Sequence, residues 1–205
     1  MGSVKTPIDN VAATTEEGWA LIAKSHQAYH AEVSPAYDEV LDQVAERVEG
    51  AGSIGKADIG ALLFWKRLRA NTPWVSRLMA ISDASVRHTT ALVVSSVNDR
   101  SLTTPEAAAR GRGQLSSLPG FDKGDALASA LLLAAAPSRM AVYDRRAQAG
   151  LGILGLPLSA APGRYGRYMA LVESIRSTAL THGVEWTPRD VDVALYRLGI
   201  PDKNT

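Results

Sequence analysis

Apolar residues recur along this chain at three- and four-residue spacing, and no stretch alternates apolar with polar positions as a strand would. Trp19, Leu21, Ile22 and Tyr29 follow Thr14 and Glu17, a pair with capping-box spacing, and predict a first helix to about Glu32. Ser34-Pro35 is an N-cap followed by proline at the first helical position. It opens a second helix to about Glu49, with Val40, Leu41, Val44 and Val48 on one face and acidic residues on the other. Gly50 and Gly52 end it. A third helix is predicted from about Lys56 to Arg69, a fourth opens at Thr72-Pro73, and a fifth is capped by Asp83 and reaches about Asn98. A sixth runs from Thr104-Pro105 to about Ser117, followed by a Leu118-Pro119-Gly120 turn and an apolar helix that ends before Pro137. Asp144 then opens a helix to about Leu154. A Pro/Gly/Ala stretch (157–163) precedes the last two helices, from about Arg164 to His182 and from Thr187-Pro188 to Leu198. Some ten helices with short connections predict an all-α fold in a single domain over residues 14–200. Residues 1–13 read as a disordered N-terminus and 201–205 as a tail.

Composition narrows the function more than it changes the fold. With 46% apolar residues the chain can bury a sizeable core. It has no cysteine, which excludes a disulfide framework, a thiolate metal site and a cysteine nucleophile, and fits a reducing, cytoplasmic setting. The first 14 residues are polar and carry no secretory pattern, and the longest apolar run, Ala126 to Pro137, is interrupted by Ser129 and too short to span a bilayer. A net charge of +1 hides a division: residues 1–60 hold four basic and ten acidic groups, a balance of −6, whereas the rest hold 18 basic and 11 acidic, a balance of +7. Most of those later cations are arginine, suited to bidentate contacts with phosphate or carboxylate. The acidic N-terminal helices (14–49) would bind a basic protein partner or cover a basic groove elsewhere in the chain. Ordinary solvated helix faces give the same composition.

Common chemical motifs are missing. His26 and His30 stand at i, i+4 spacing, but no glutamate lies between them and no third ligand is evident, so they read as a solvated or interfacial pair and no metal is expected. Gly55-Lys56 is followed by Ala57, which denies a phosphate loop. Gly111-Arg112-Gly113 follows no strand and lacks a third glycine, and no G-x-S-x-G elbow occurs. No cofactor is predicted.

The informative stretch is 115–154, LSSLPGFDKGDALASALLLAAAPSRMAVYDRRAQAGLGIL. A helix ends at Leu118-Pro119-Gly120-Phe121, a small-residue helix with Ala126, Ala128, Ser129, Ala130 and Leu131 follows, and Val142-Tyr143-Asp144 opens the next helix. This order and spacing resembles the helix-hairpin-helix DNA glycosylase superfamily, closest to bacterial proteins with an 8-oxoguanine DNA glycosylase fold. In those proteins a Trp-Lys pair early in the chain and a Tyr/Leu-Asp-x-Arg-Ala segment recur; here they are Trp65-Lys66 and Tyr143-Asp144-Arg145-Arg146-Ala147. The resemblance covers residues 56–198, with sharp motifs only in 115–150.

What it implies is a DNA-binding protein of DNA glycosylase fold, hydrolysing the N-glycosidic bond of a modified or unusual base, as in DNA repair. The hairpin's backbone N–H groups would hold a phosphate of double-stranded DNA, with Gly120 and Gly124 allowing close approach and Lys123 adding a cation. Arg110, Arg112, Arg145, Arg146 and Arg164 would follow the phosphate backbone. Asp144 would be the catalytic carboxylate, and Trp65, Lys66, Phe121 and Tyr143 would line the pocket for a flipped base, with Trp74 and Tyr165 as further aromatic candidates. Two departures stand out: the hairpin is about two residues longer than the family's and carries Asp122 and Asp125, and the lysine of strand-cutting members is replaced by Gly124 or Leu127. A water nucleophile is therefore expected. Plainer roles stand beside these: Asp144 as an N-cap, Trp65 and Trp74 as core, Lys66, Arg67 and Arg69 as cations at a helix C-terminus. Two other functions follow from those roles, a non-catalytic DNA-binding or sensing module of the same fold, or an all-helical protein-interaction domain.

Overall fold

The computed structural model describes residues 15–201, which form ten α-helices and one 3₁₀ turn, with no strand among them. The helices are α1 (Glu16–Glu32), α2 (Glu39–Ala51), α3 (Lys56–Trp65), α4 (Pro73–Ala80), α5 (Asp83–Asn98), α6 (Thr104–Leu115), α7 (Ala126–Ala135), α8 (Arg145–Ile153), α9 (Arg164–Thr181) and α10 (Pro188–Leu198). The expected disordered N-terminus, and the tail apart from Pro201, lie outside the described residues. So does Thr14; the side chain that caps α1 is Thr15, which accepts from Gly18 N. Ser34-Pro35 begins not the second α-helix but the 3₁₀ turn Pro35–Asp38, and α2 follows it directly. Ser82, not Asp83, caps α5; the Asp83 carboxylate instead accepts from Lys56 N at 2.7 Å and so ties α5 to the start of α3.

The fold has two helical centres. The first is α7, whose alanines and leucines are buried on every face and which packs against α2, α3, α5 and α6. A helix apolar all round has nowhere stable but the middle. The second is α10, which packs on α1, α8 and α9. It is amphipathic, burying Val191, Val193, Ala194 and Leu195, and it brings the acidic N-terminal segment against its own cations: Arg197 pairs with Glu32 at 2.8 Å and Arg189 with Asp38 at 3.0 Å. Part of the negative charge assigned to an outside partner is thus met within the chain. No helix among the described residues is long and apolar enough to cross a membrane.

The α8–α10 contact depends on glycine. A Cβ on Gly150 would sit 2.3 Å from the Leu195 carbonyl oxygen, whereas Gly152, two residues on, faces open space. Gly150→Ala is therefore expected to destabilise the fold by about 1–3 kcal/mol, because backbone and not a flexible side chain must yield. Gly152→Ala should leave stability unchanged or raise it by roughly 0.5 kcal/mol. Urea unfolding of the two variants checks the contrast.

Candidate functional site

The first half of the site comes from the C-terminus of α3. The sequence pattern runs a helix on to Arg69, but the helix stops at Trp65 because Arg67 takes a left-handed backbone, φ 52°. Arg67 N donates to Phe64 O (2.8 Å) and Leu68 N to Leu63 O (3.0 Å), which closes the last turn in the manner usually served by glycine. Arg67 is the one non-glycine residue with positive φ among the described residues. The turn leaves the Lys66 side chain directed at the start of α8, and Arg67 lies over the Tyr37 ring at 5.8 Å. A left-handed arginine costs roughly 1–2 kcal/mol, so Arg67→Gly should raise stability by about 1 kcal/mol in denaturant unfolding. A loss of stability would mean that the Tyr37 contact outweighs the strain.

The second half is the segment between α7 and α8. Tyr165 and Tyr168 on α9 donate from their hydroxyls to the carbonyls of Ala141 and Val142 (2.8 Å each), Asp192 accepts from Val142 N (2.8 Å), and Ser129 of α7 accepts from Tyr143 N (2.9 Å). These bonds hold Asp144 at the N-terminus of α8. Its Oδ1 accepts from Arg146 N (2.9 Å) and Ala147 N (3.0 Å), and its Oδ2 accepts from Lys66 Nζ at 3.0 Å. Burial pushes the Asp144 carboxyl up, but the Lys66 ammonium and those N–H groups outweigh it and hold it below the usual carboxylate range. The side chain stays ionised at neutral pH and is 19% exposed, enough to be reached.

Lys66 and Asp144 lie in a pocket of about 530 Å³, within the ordinary range for small-ligand sites. Trp65, Tyr37 and Tyr29 supply aromatic wall, and Arg67, Tyr196 and Glu32 also line it. From α10 come Arg189 and Asp192, which sequence reasoning missed. Arg189 pairs with Asp38 (3.0 Å) and Asp192 (2.5 Å) and stacks over Trp65 at 5.2 Å, while Trp65 Nε1 donates to Asp38 at 3.1 Å. Burial pushes the Asp192 carboxyl up to about 6, although Arg189 and the Val142 N–H favour its charge. Their only sequence signal is i, i+3 spacing on an amphipathic helix, which looks like a solvated face.

Of the four residues expected to line a base pocket, Trp65 and Lys66 do so and the other two do not. Phe121 is buried against Trp74, and Tyr143 points into the core, its ring edge-on to Tyr168. Nor do Trp74 and Tyr165 reach the pocket. The cations divide as well. Arg112 donates to Asp125 (2.7 Å) and to the carbonyls of Phe121 (2.9 Å) and Gly124 (2.8 Å), and Arg164 donates to the other oxygen of Asp125 at 2.8 Å. Both hold the hairpin loop together from inside, so their expected place on a phosphate backbone is corrected. That clamp also resolves the acidic hairpin: Asp125 is buried and neutralised, and only Asp122 is exposed beside Lys123. Gly120, at φ 89°, lets the chain pass where a Cβ would lie 2.3 Å from the Trp74 ring. Gly124 is also left-handed, φ 75°, and Arg110 is exposed with a loose pairing to Asp99 at 3.9 Å. Arg145 and Arg146 are exposed beside Asp144, Arg146 lying over the Tyr196 ring at 4.8 Å. No family model, curated protein or solved structure matches this chain.

Proposed function

We propose that the chain is a DNA-binding protein of DNA glycosylase fold in which the Trp65–Asp144 pocket accepts a base turned out of the duplex and Asp144 assists hydrolysis of its N-glycosidic bond. One observation carries this reading. The Trp65-Lys66 pair and Asp144, singled out from segments 78 residues apart, meet at 3.0 Å at the edge of the 530 Å³ pocket. In such a reaction the bond from C1′ to the base nitrogen breaks with its electrons going to the base. Positive charge develops on the sugar, and water adds to C1′ while its proton passes to the departing base. An ionised carboxylate fixed at that point stabilises the developing charge. The half-buried Tyr37 ring offers a surface for stacking beside the buried Trp65 and Tyr29, and Arg67, Arg145 and Arg146 supply cations near the mouth for phosphates. Lys66 acts as the partner that keeps Asp144 ionised, which agrees with a water nucleophile.

A second reading keeps the binding and drops the chemistry. Asp144 already accepts three hydrogen bonds, two of them as the cap of α8, and a carboxylate so committed serves a purely structural role equally well. Single-turnover incubation with duplexes carrying a panel of modified bases decides between them. Release of free base supports the first. Binding to the same duplexes without release supports the second.

A further inference from the structure

We propose that His26, His30 and Asp190 form a binding site for one first-row divalent metal ion, of the zinc class, that staples α1 to α10. The sequence offered only the two histidines. The fold supplies the third ligand from a residue 164 positions further on: His26 Nε2 lies 3.1 Å from Asp190 Oδ1 and 3.1 Å from His30 Nε2, and the three ligand atoms all lie within 4.8 Å of one another. Ligands set about 2.0–2.1 Å from a tetrahedral zinc ion are themselves roughly 3.3 Å apart, so two of these three contacts are already near the spacing that an ion needs.

Proton bookkeeping favours a cation at the centre. If His26 Nε2 carries a hydrogen, it donates to Asp190 and faces His30 Nε2 with no lone pair to offer. If it carries none, it accepts from His30 and sets its lone pair against the Asp190 carboxylate. The best a proton achieves is one divided, three-centre bond, whereas a cation satisfies two imidazole lone pairs and a carboxylate together.

The groups are also held as ligands need to be. The second oxygen of Asp190 is taken by Thr187, whose N and Oγ1 donate to it at 2.7 and 2.6 Å, so Oδ1 is the oxygen left for the histidines. The His26 ring stacks on buried Trp186 at 4.7 Å, and His30 meets the Tyr29 ring edge-on at 5.6 Å. Two imidazoles with one carboxylate select zinc, nickel, cobalt or copper over magnesium and calcium, and the exposure of His30 leaves room for water as a fourth ligand. An ion here would fasten the N-terminal helix to the helix that carries Arg189 and Asp192 into the pocket.

The test is titration of the untagged full chain with Zn²⁺ by calorimetry, with Co²⁺ absorption as the geometric probe and thermal unfolding in parallel. The expected result is one equivalent of Zn²⁺ per chain, a tetrahedral Co²⁺ spectrum, and a rise in Tm of roughly 5–10 °C at about a hundred times Kd. His30→Ala, at an exposed position that the fold tolerates, should weaken Zn²⁺ at least tenfold and remove the Tm increment; His88→Ala, on α5, should change neither. Zn²⁺ binding of equal strength in wild type and His30→Ala, or no binding by wild type, overturns the proposal.

Discussion

Replacing Asp144 by asparagine is expected to lower base release about a thousandfold while duplex affinity stays within about threefold. The separation follows from the two jobs of the side chain. As the cap of α8 it accepts from the N–H groups of Arg146 and Ala147, and asparagine caps nearly as well as aspartate, so the helix and the neighbouring arginines keep their places. As an anion held below the usual carboxylate range by Lys66, it is the group that stabilises charge on the sugar in the proposed reaction, and the neutral amide would not replace that. The substitution leaves the Lys66 ammonium, only 13% exposed, without its partner, so a stability loss of about 1–3 kcal/mol accompanies it. Equal base release by wild type and Asp144→Asn under single-turnover conditions would remove Asp144 from the chemistry; no release by either, with duplex binding kept, would favour the sensing reading.

The second large effect is structural. Arg189→Met is expected to destabilise the protein by about 3–5 kcal/mol, because it leaves Asp192, buried at 2% exposure, as an uncompensated charge beside Asp38. For a domain of this size the corresponding fall in Tm is roughly 10 °C. The loss should depend on pH in a definite direction. The folded Asp192 carboxyl already lies at about 6, above its unfolded value of 3.8, so between those values the folded state holds a proton that the unfolded state lacks. Stability from this group therefore falls as pH rises through the window. Removing the guanidinium pushes the carboxyl higher still, so the Arg189→Met penalty should be larger at pH 7.5 than at pH 5. Adding Asp192→Asn should recover part of it, since the buried charge is then gone from both states. A penalty that is independent of pH would show that Asp192 is not the charge being left behind.

The parts of this molecule that were legible in the sequence are those whose signal is local. Thr187-Pro188 and Thr104-Pro105 announce helix starts, Leu118-Pro119-Gly120 announces a turn, and a run of alanine and leucine broken only by Ser129 announces a central helix. Asp144 was readable as a cap for the same reason. What stayed hidden depends on pairs distant in the chain. Nothing near Arg189 says that it meets Asp38, 151 positions away, and nothing near Asp125 says that Arg112 and Arg164 converge on it from both sides. Two arginines therefore looked available to DNA when they are internal struts. The end of α3 was misplaced for another reason: a left-handed turn normally advertises itself with glycine, and here an arginine occupies it.

Whether the pocket beside Asp144 serves an extruded base on bound DNA is tested by duplex binding against salt. Fluorescence anisotropy would compare an undamaged duplex with one holding an abasic-site analogue, for wild type and for Arg145→Ala/Arg146→Ala. The expected result is tighter binding to the abasic duplex, affinity that falls steeply with salt, and a salt slope smaller by about 2 in the double variant, roughly one for each phosphate contact removed. Absence of binding at low salt, or equal affinity for the two duplexes with no dependence on these arginines, would contradict it.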